Sequence, residues 1–338
     1  MKVGVIGATG VVGSTILTVL EERNVPVTQL FAYASRDRDS GVTFRGVSYP
    51  VARATIEKIV TDAPDAVFFA SSDDASKEMA EALAARGIVV IDNASTFRLD
   101  PRVPLVIPEV NPHAIRLEHR IFPVGNCTAI ILCVALKPIV AIAGLRSVRV
   151  ATYQAVSGAG RAGLEALAEE EAALASGKSG AAAGSTFAAQ IARNVIPQIG
   201  AFDGTGETGE EEKVAAETRK TLELPDLHIA ATTVRVPVRT AHSEAVFIET
   251  ERATSVASLA AAFAHAPGIV YHATGIVTPI EVEGTDLVHV ARLRAEGTST
   301  THFQLWIVGD QLRKGAATNG VQILETLIAQ GRFGAVHA

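Results

Sequence analysis

Apolar and polar positions along the chain fall into two regimes. In the first, short apolar runs alternate with stretches of helical spacing. Residues 3–6 read as a buried strand, 14–22 carry Ile16, Leu17, Val19 and Leu20 at helical spacing, and 29–34 resume as a strand after Pro26. The pattern repeats as a strand over 66–70, a helix over 75–86 and a strand over 88–91. Strands alternating with helices at this spacing predict βαβ units and a parallel sheet. After Pro138 the character changes. Longer runs at 145–156, 227–238, 244–250, 276–282 and 301–308 read as strands, several with the alternation of a sheet that has one exposed face. Helical stretches at 162–176 and 255–264 interrupt them, and 316–328 reads as a final amphipathic helix. The expected fold is α/β: an N-terminal Rossmann-like parallel sheet, then an α+β domain with a mixed sheet covered by helices on one side. The small-residue stretch 176–185 reads as a flexible excursion between helices.

Composition narrows the function classes. A chain of 338 residues with 48% hydrophobic and 20% charged residues can bury two sizeable cores. The net charge of −6, without a long basic run, argues against a nucleic-acid partner. Two cysteines, Cys127 and Cys133, exclude a disulfide framework and a Cys-rich zinc site, and no metal site is expected. No apolar run approaches the ~18 residues of a membrane span. The chain enters a strand at once, without a charged leader, so a cytoplasmic enzyme with no membrane partner is the expectation.

Chemistry enters with the run Gly7-Ala8-Thr9-Gly10-Val11-Val12-Gly13, placed between the first strand and the first helix. Glycine there allows a tight turn, and the helix N-terminus offers backbone N–H groups to a diphosphate. The spacing is GxxGxxG and not GxGxxG, so its position inside a βαβ unit carries the argument. An acidic residue ending the second strand would select the ribose diol of NAD. Here the strand runs into Ala34-Ser35-Arg36-Asp37-Arg38, offering a hydroxyl and two guanidiniums to a 2′-phosphate, so NADP is the expected cofactor. Pairing of Asp37 and Asp39 with these arginines is the competing reading. A second cluster, Ser157-Gly158-Ala159-Gly160-Arg161-Ala162-Gly163, also follows a strand and opens a helix. No further βαβ unit follows it, which fits a loop approaching the nicotinamide or a substrate phosphate.

Asn126-Cys127-Thr128 precedes an apolar helical stretch expected over 129–137 and ended by Pro138. Asn126 is a good N-cap, which puts Cys127 in the first turn. There the helix dipole and free N–H groups favour a thiolate and can hold an oxyanion. Cys133 lies ~240° around the helix from Cys127 and reads as a core residue.

These residues sit within a longer set of runs: Ile91-Asp92-Asn93-Ala94-Ser95-Thr96-Phe97-Arg98, Val106 to Pro112, Tyr153 to Gly160, Asn194-Val195-Ile196-Pro197-Gln198, Thr208-Gly209-Glu210-Glu211-Glu212-Lys213, Arg235-Val236-Pro237-Val238-Arg239, His242-Ser243-Glu244 and Leu312 to Ala317. In order and content they resemble aspartate-β-semialdehyde dehydrogenase over nearly the whole chain. The resemblance implies NADPH-dependent reduction of L-β-aspartyl phosphate to the semialdehyde with release of phosphate, through a cysteine thioester, in synthesis of lysine, threonine and methionine. It implies Cys127 as nucleophile, His242 as acid/base, Gln154 orienting thiol and carbonyl, and Asn126 beside the oxyanion. Arg98 and Lys213 would hold the phosphate, with Glu210 and Arg235 on the substrate amine and carboxylate; Glu211 or Glu212 could replace Glu210 on register alone. Cofactor contacts are implied for Gly7, Thr9, Gly10, Val11, Val12, Gly13, Ser35, Arg36, Arg38, Ser71, Asn93, Ser157, Gly158, Gly160 and Asn319. The implied layout is an NADP-binding domain of 1–126 with 318–338, a catalytic and dimerisation domain of 127–317, and a homodimer.

Two departures flank the chemistry. Val124-Gly125-Asn126-Cys127-Thr128-Ala129 stands where the family usually has Asn-Pro-Asn-Cys-Ser-Thr, and Ala241 stands where it usually has Gly. Arg235 and His242 are an odd number of positions apart, so an unbroken strand would put them on opposite faces; serving one site requires a turn or bulge near Thr240-Ala241. The rival readings are N-acetylglutamyl-phosphate reductase and a non-catalytic NADP-binding homologue.

Overall fold

The structure is a computed structural model that describes residues 1–36, 38–178 and 186–334, with 38–40 described by backbone alone. Most of the small-residue stretch, 179–185, Asp37 and the Arg38 side chain therefore lie outside the described residues. The chain forms two compact units, Met1–Gly125 together with the chain from Ala316 onward, and Asn126–Gly315.

The first unit contains β1 (Lys2–Ile6), α1 (Val11–Glu22), β2 (Gln29–Ala34), β3 (Arg38–Phe44), β4 (Val47–Arg53), α2 (Ile56–Asp62), β5 (Ala66–Phe69), α3 (Asp73–Ala84), β6 (Val89–Asp92) and β7 (Ile121–Pro123). They make a sheet in the order β3-β4-β2-β1-β5-β6-β7, parallel except for β3. Every residue of β5 and β6 is buried, as expected of strands covered on both faces. Ile59, Met79 and Leu83 from α2 and α3 pack on Ile6, Val67, Phe69 and Val90. The β3–β4 hairpin was not anticipated. Its turn, Arg45-Gly46, has φ of 51° and 74°, the left-handed pair of a tight hairpin, but lacks the usual Asn-Gly signal.

The second unit holds α4 (Cys127–Ala143), β8 (Ser147–Gln154), α5 (Gly160–Ala175), α6 (Gly209–Leu222), β9 (His228–Arg235), β10 (His242–Glu249), α7 (Val256–His265), β11 (Ile269–His272), α8 (Pro279–Val282), β12 (Val288–Ala295) and β13 (His302–Gly309). Its sheet runs β11-β12-β13-β10-β8-β9; β8–β9 and β11–β12 are parallel and the other pairs antiparallel. Helices α4, α6 and α7 cover one face. Afterwards the chain returns to the first unit as α9 (Thr318–Ala329), whose Gly320 approaches Ile91 and Phe68 closely.

Two expectations need correction. Residues 276–282 are not a strand: Pro279 has no N–H for a ladder, and Thr278 with Glu281 forms a capping box that starts α8. The strands of that region are β11 and β12. The helix after Cys127 does not stop at Pro138 but runs through it to Ala143. Burial of Ile139 and Ala143 offsets the lost hydrogen bond, and Gly144, with φ 68°, ends the helix. Helix α6, which no apolar periodicity announces, starts at a capping box formed by Thr208 and Glu211.

Candidate active site

Alternation along the strands of the second unit decides which side chains meet. On β8 the buried residues are Val148, Val150, Thr152 and Gln154; on β10 they include His242, Glu244, Val246 and Ile248 on the same helix-covered face. Gln154 ends β8 beside Arg235, which ends the parallel β9, while the antiparallel β10 begins at His242. Three polar side chains thus gather at one sheet end. The break required between Arg235 and His242 is present: they lie on separate strands, and Ala241 has φ 69°. An alanine there bears a left-handed strain that a glycine would not.

Two helix N-termini supply the rest. Asn126 caps α4, its Oδ1 accepting from the N–H groups of Thr128 (3.0 Å) and Ala129 (3.2 Å). Cys127 follows, packed so closely on Gly315 that a Cβ at Gly315 would lie 2.9 Å from the Cys127 Cβ. The capping corrects one expectation, since those two N–H groups are already satisfied and are not available to an oxyanion. On α6, Glu210, Lys213 and Glu217 share a face by spacing. Glu217 Oε2 accepts from the Asn126 N–H at 2.5 Å, tying the cap to α6.

The cysteine Sγ lies 3.5 Å from His242 Nε2. The Ala155 N–H donates to His242 Nδ1 at 3.1 Å, so the single ring proton of the neutral imidazole sits on Nε2 and faces the sulfur. Burial, with Arg235 beside it, holds the imidazole well below its usual pKa. His242 is therefore a neutral donor aimed at Cys127. Glu210 Oε1 accepts from Asn126 Nδ2 (2.9 Å) and Gln154 Nε2 (3.0 Å), while Gln154 Oε1 takes the Thr152 hydroxyl at 3.2 Å. Arg235 donates from Nη1 to the Ala155 carbonyl at 2.6 Å, and its buried Nε has no hydrogen-bond partner among the described residues. Its pKa is lowered by burial, partly opposed by Cys127 and Glu210. Geometry separates the three glutamates: Glu211 is held by the N–H groups of Thr208 and Thr233, Glu212 is exposed, and Glu210 joins the cluster. Cys133 is fully buried, and burial pushes its thiol pKa up.

The second glycine cluster belongs to this site. A Cβ on Gly158 would lie 2.7 Å from Arg235 Nη1 and 3.3 Å from His242 Cε1. Ser157 is buried and accepts from Gln311, and Gly160 opens α5 with φ 70°.

The other calls fall in the first unit. A cleft of about 730 Å³ at the carboxyl ends of its strands is lined by Gly7, Thr9, Gly10, Ser35, Arg53 and Ser71 among others. Side chains at Gly7 or Gly13 would run into the Ala70 and Gly7 carbonyls, so the loop needs glycine there. Gly10 caps α1 and brings no side chain to the first-turn N–H groups, the arrangement in which a helix start can receive an anion. Ser71 Oγ and Asn93 Oδ1 are buried without a hydrogen-bond partner among the described residues. A loop built for close approach, an uncapped helix start and these two orphaned oxygens fit a dinucleotide. Arg36 is exposed and does not line the cleft, whereas Arg53, which sequence reasoning passed over, does. Arg98 donates to the Asn93 carbonyl at 2.7 Å, and Asn319 is buried, donating to the Val106 carbonyl at 3.0 Å.

Known proteins resemble this chain over nearly its whole length. Residues 2–118 match the family described as semialdehyde dehydrogenase, NAD binding domain, and 136–314 match semialdehyde dehydrogenase, dimerisation domain. The chain is 42% identical over 337 residues to aspartate-semialdehyde dehydrogenase of Aquifex aeolicus, covering 98% of both proteins. It is 38% identical over 338 residues to that of Bacillus subtilis, covering 97% of both. Among solved structures, aspartate semialdehyde dehydrogenase II of Vibrio cholerae complexed with ASA superposes with TM-score 0.93 at 38% identity, covering 97% of this chain and 98% of that one. The chain belongs to the aspartate-semialdehyde dehydrogenase family.

Proposed function

We propose that the chain reduces L-β-aspartyl phosphate to L-aspartate β-semialdehyde with release of phosphate, through a thioester on Cys127, with NADPH as cofactor. The observation that carries the reading is the Cys127 Sγ–His242 Nε2 pair at 3.5 Å, with Glu210 and Arg235 beside it. Cys127 attacks the acyl carbon as the thiolate, and the bond to the phosphate oxygen breaks. Arg98 and Lys213 are the cations proposed for that phosphate. The Nε2–H of His242 donates to the carbonyl oxygen as negative charge builds, the role left to it by the Ala155 contact, which occupies Nδ1. A neutral ring is sufficient here, because a thiohemiacetal oxyanion can collapse to aldehyde and thiolate without a proton. Gln154 and Asn126 fix Glu210, which would meet the substrate amine, while Arg235 offers its planar fork to the carboxylate.

The glycine loop, Ser35, Ser71 and Asn93 would hold the cofactor, which when bound supplies the hydride that brings the thioester carbon to the aldehyde level. NADP is preferred because β2 runs directly into Ser35, a hydroxyl where NAD-selective sites place a carboxylate. The exposed outer face of the second sheet, with Tyr153 and Phe247 at 38% and 40% exposure and Tyr153 against Trp306, is proposed to form the homodimer.

The test compares aspartate semialdehyde with N-acetylglutamate semialdehyde, each with phosphate and NADP⁺. The acetylated substrate has no cation for Glu210, and covering that half-buried carboxylate without a counter-charge costs on the order of 10²-fold in kcat/KM. Comparable kcat/KM values for the two would overturn the assignment.

A further inference from the structure

The end of the first sheet opposite the cofactor cleft carries a hollow of about 430 Å³, lined by Asp65, Arg86, Arg120 and Arg332, with Ile88 and Phe333 among its apolar walls. Asp65 directly precedes β5 and Arg120 directly precedes β7, so the hollow sits at the amino ends of the strands. Backbone bonds fix where each guanidinium starts. The Arg86 N–H donates to the Leu83 carbonyl after α3, the Arg332 N–H to the Leu327 carbonyl after α9, and the Arg120 carbonyl accepts from the Val90 N–H at 2.7 Å. The three side chains bond to main-chain carbonyls. Arg86 Nη1 donates to Ala82 at 2.8 Å, Arg120 Nη1 to Leu117 at 2.9 Å and His119 at 3.5 Å, and Arg332 Nη2 to His119 at 2.7 Å. Two of the guanidiniums thus share one stretch of backbone, 117–119. None of the three has a carboxylate partner among the described residues, whereas Arg23, Arg102 and Arg313 each hold one. The carboxylate in the hollow, Asp65, already accepts from the Lys2 N–H at 2.7 Å. In a chain with 36 acidic against 30 basic residues, this is a local reversal of charge.

We propose that this hollow is a further binding site of the chain, for a small molecule with two or more anionic groups, carboxylate or phosphate. A cation just past a helix C-terminus is favoured by the macrodipole, which accounts for the places of Arg86 and Arg332. It does not account for Arg120 at the start of a strand, nor for three guanidiniums converging without a counter-charge. Each guanidinium has five N–H donors and spends few of them on the main chain, so planar edges remain for paired bonds to an oxyanion. The carbonyls that anchor the side chains hold them in place before a ligand arrives, which lowers the cost of ordering them. Apolar walls concentrate the field of the cations, and the volume suits a small metabolite. A monoanion gains one such pairing and a neutral molecule none, so the charge of the ligand selects it. The site lies at the end of the sheet away from the glycine loop and does not depend on the cofactor reading.

Calorimetric titration of the whole protein with citrate, pyrophosphate and acetate, in saturating NADP⁺ to keep the cofactor cleft filled, tests the site. At least one of the two polyanions is expected to bind with a Kd below about 1 mM, and acetate on the order of 10-fold or more weaker. Which polyanion binds more tightly tells whether the site prefers carboxylate or phosphate. Arg86→Gln and Arg332→Gln should each weaken that polyanion on the order of 10-fold, the range of a charge-assisted hydrogen bond. Asp65→Asn should tighten it roughly 3-fold by removing a like charge. Arg116→Gln is the control, since that exposed guanidinium lies beside Glu118 outside the hollow and its loss should leave the Kd as it was. Arg86 is exposed and its side chain holds only its own helix, so its replacement does not threaten the fold. The proposal is overturned if neither polyanion binds by about 1 mM or if acetate binds as well as they do. It is equally overturned if Arg86→Gln and Arg332→Gln keep the wild-type Kd, or if Arg116→Gln weakens binding as much as they do.

Discussion

Replacing Glu244 by Gln should change how stability depends on pH, with a sign opposite to that of replacing His242. Both side chains are fully buried on β10, two residues apart and on one face. Neither carboxyl oxygen of Glu244 has a hydrogen-bond partner among the described residues, and burial raises its pKa well above the ordinary 4.5. The folded protein thus keeps a proton there that the unfolded chain has lost. Stability from this group is complete below the ordinary value and falls as pH rises, by up to ~1.4 kcal/mol per unit until the folded pKa is reached. His242 runs the other way. Its folded pKa is depressed well below 6.5, so the unfolded chain binds the extra proton, and stability rises with pH up to that value by the same amount per unit. Between the two ordinary values the effects offset each other in the wild type.

Glu244→Gln should therefore gain on the wild type by up to ~1.4 kcal/mol per unit as pH rises above ~5, and His242→Gln should lose by as much until pH ~6.5, then level off. Asp92 and Asp310, also raised by burial, are common to all three proteins and drop out of the differences. Urea unfolding at one fixed protein concentration across this range measures both slopes. A Glu244→Gln difference that stays constant with pH would refute the reasoning, because the carboxyl would then titrate as an exposed one does.

Other predictions concern the reaction. Cys127→Ser should lose more than ~10³-fold in kcat, since an alkoxide is far harder to form than a thiolate, and Cys133→Ser should keep its activity. Iodoacetamide labelling Cys133 before Cys127 would reverse that assignment. Gly158→Ala should cost on the order of 10-fold or more in kcat/KM for the semialdehyde, because the new methyl displaces the Arg235 fork. Wild-type kinetics in that variant would show that Gly158 does not shape the substrate pocket. Arg235→Lys should raise KM for the semialdehyde and spare cofactor affinity, as a point charge cannot reproduce the two parallel bonds; equal damage to both would detach Arg235 from the substrate.

The sequence alone determined the features that depend on local spacing. Apolar runs at 3–6 and 66–70 could only be buried strands, and the glycines after the first had a steric reason to be there. Asn126 before an apolar helix announced both a cap and the place of Cys127. The offset between Arg235 and His242 required a turn or bulge near Thr240-Ala241 if both serve one site, and the strand break with its left-handed Ala241 supplies it. The parallel sheet followed from the alternation of elements. Where local signals competed with burial, they misled: Pro138 looks like a stop, yet buried Ile139 and Ala143 carry α4 through it. The apolar residues of 276–282 look like a strand, yet Ile276 and Ile280 are 70% and 85% exposed and Pro279 opens a helix.

Only the tertiary structure decided which side chains meet. Glu210, Glu211 and Glu212 are equivalent in sequence, and the rotation of α6 against Asn126 and Gln154 separates them. The closeness of Gly158 to Arg235 and His242, where an added Cβ would lie 2.7 Å from Arg235 Nη1, cannot be read from glycine spacing. The tautomer of His242 depends on an N–H from Ala155, 87 positions away along the chain. Arg53 carries no motif, and its place beside Ser35 comes from strand order, which no pattern along one strand encodes. Periodicity fixes the face on which a residue lies; its partners come from register and packing between segments distant in the chain.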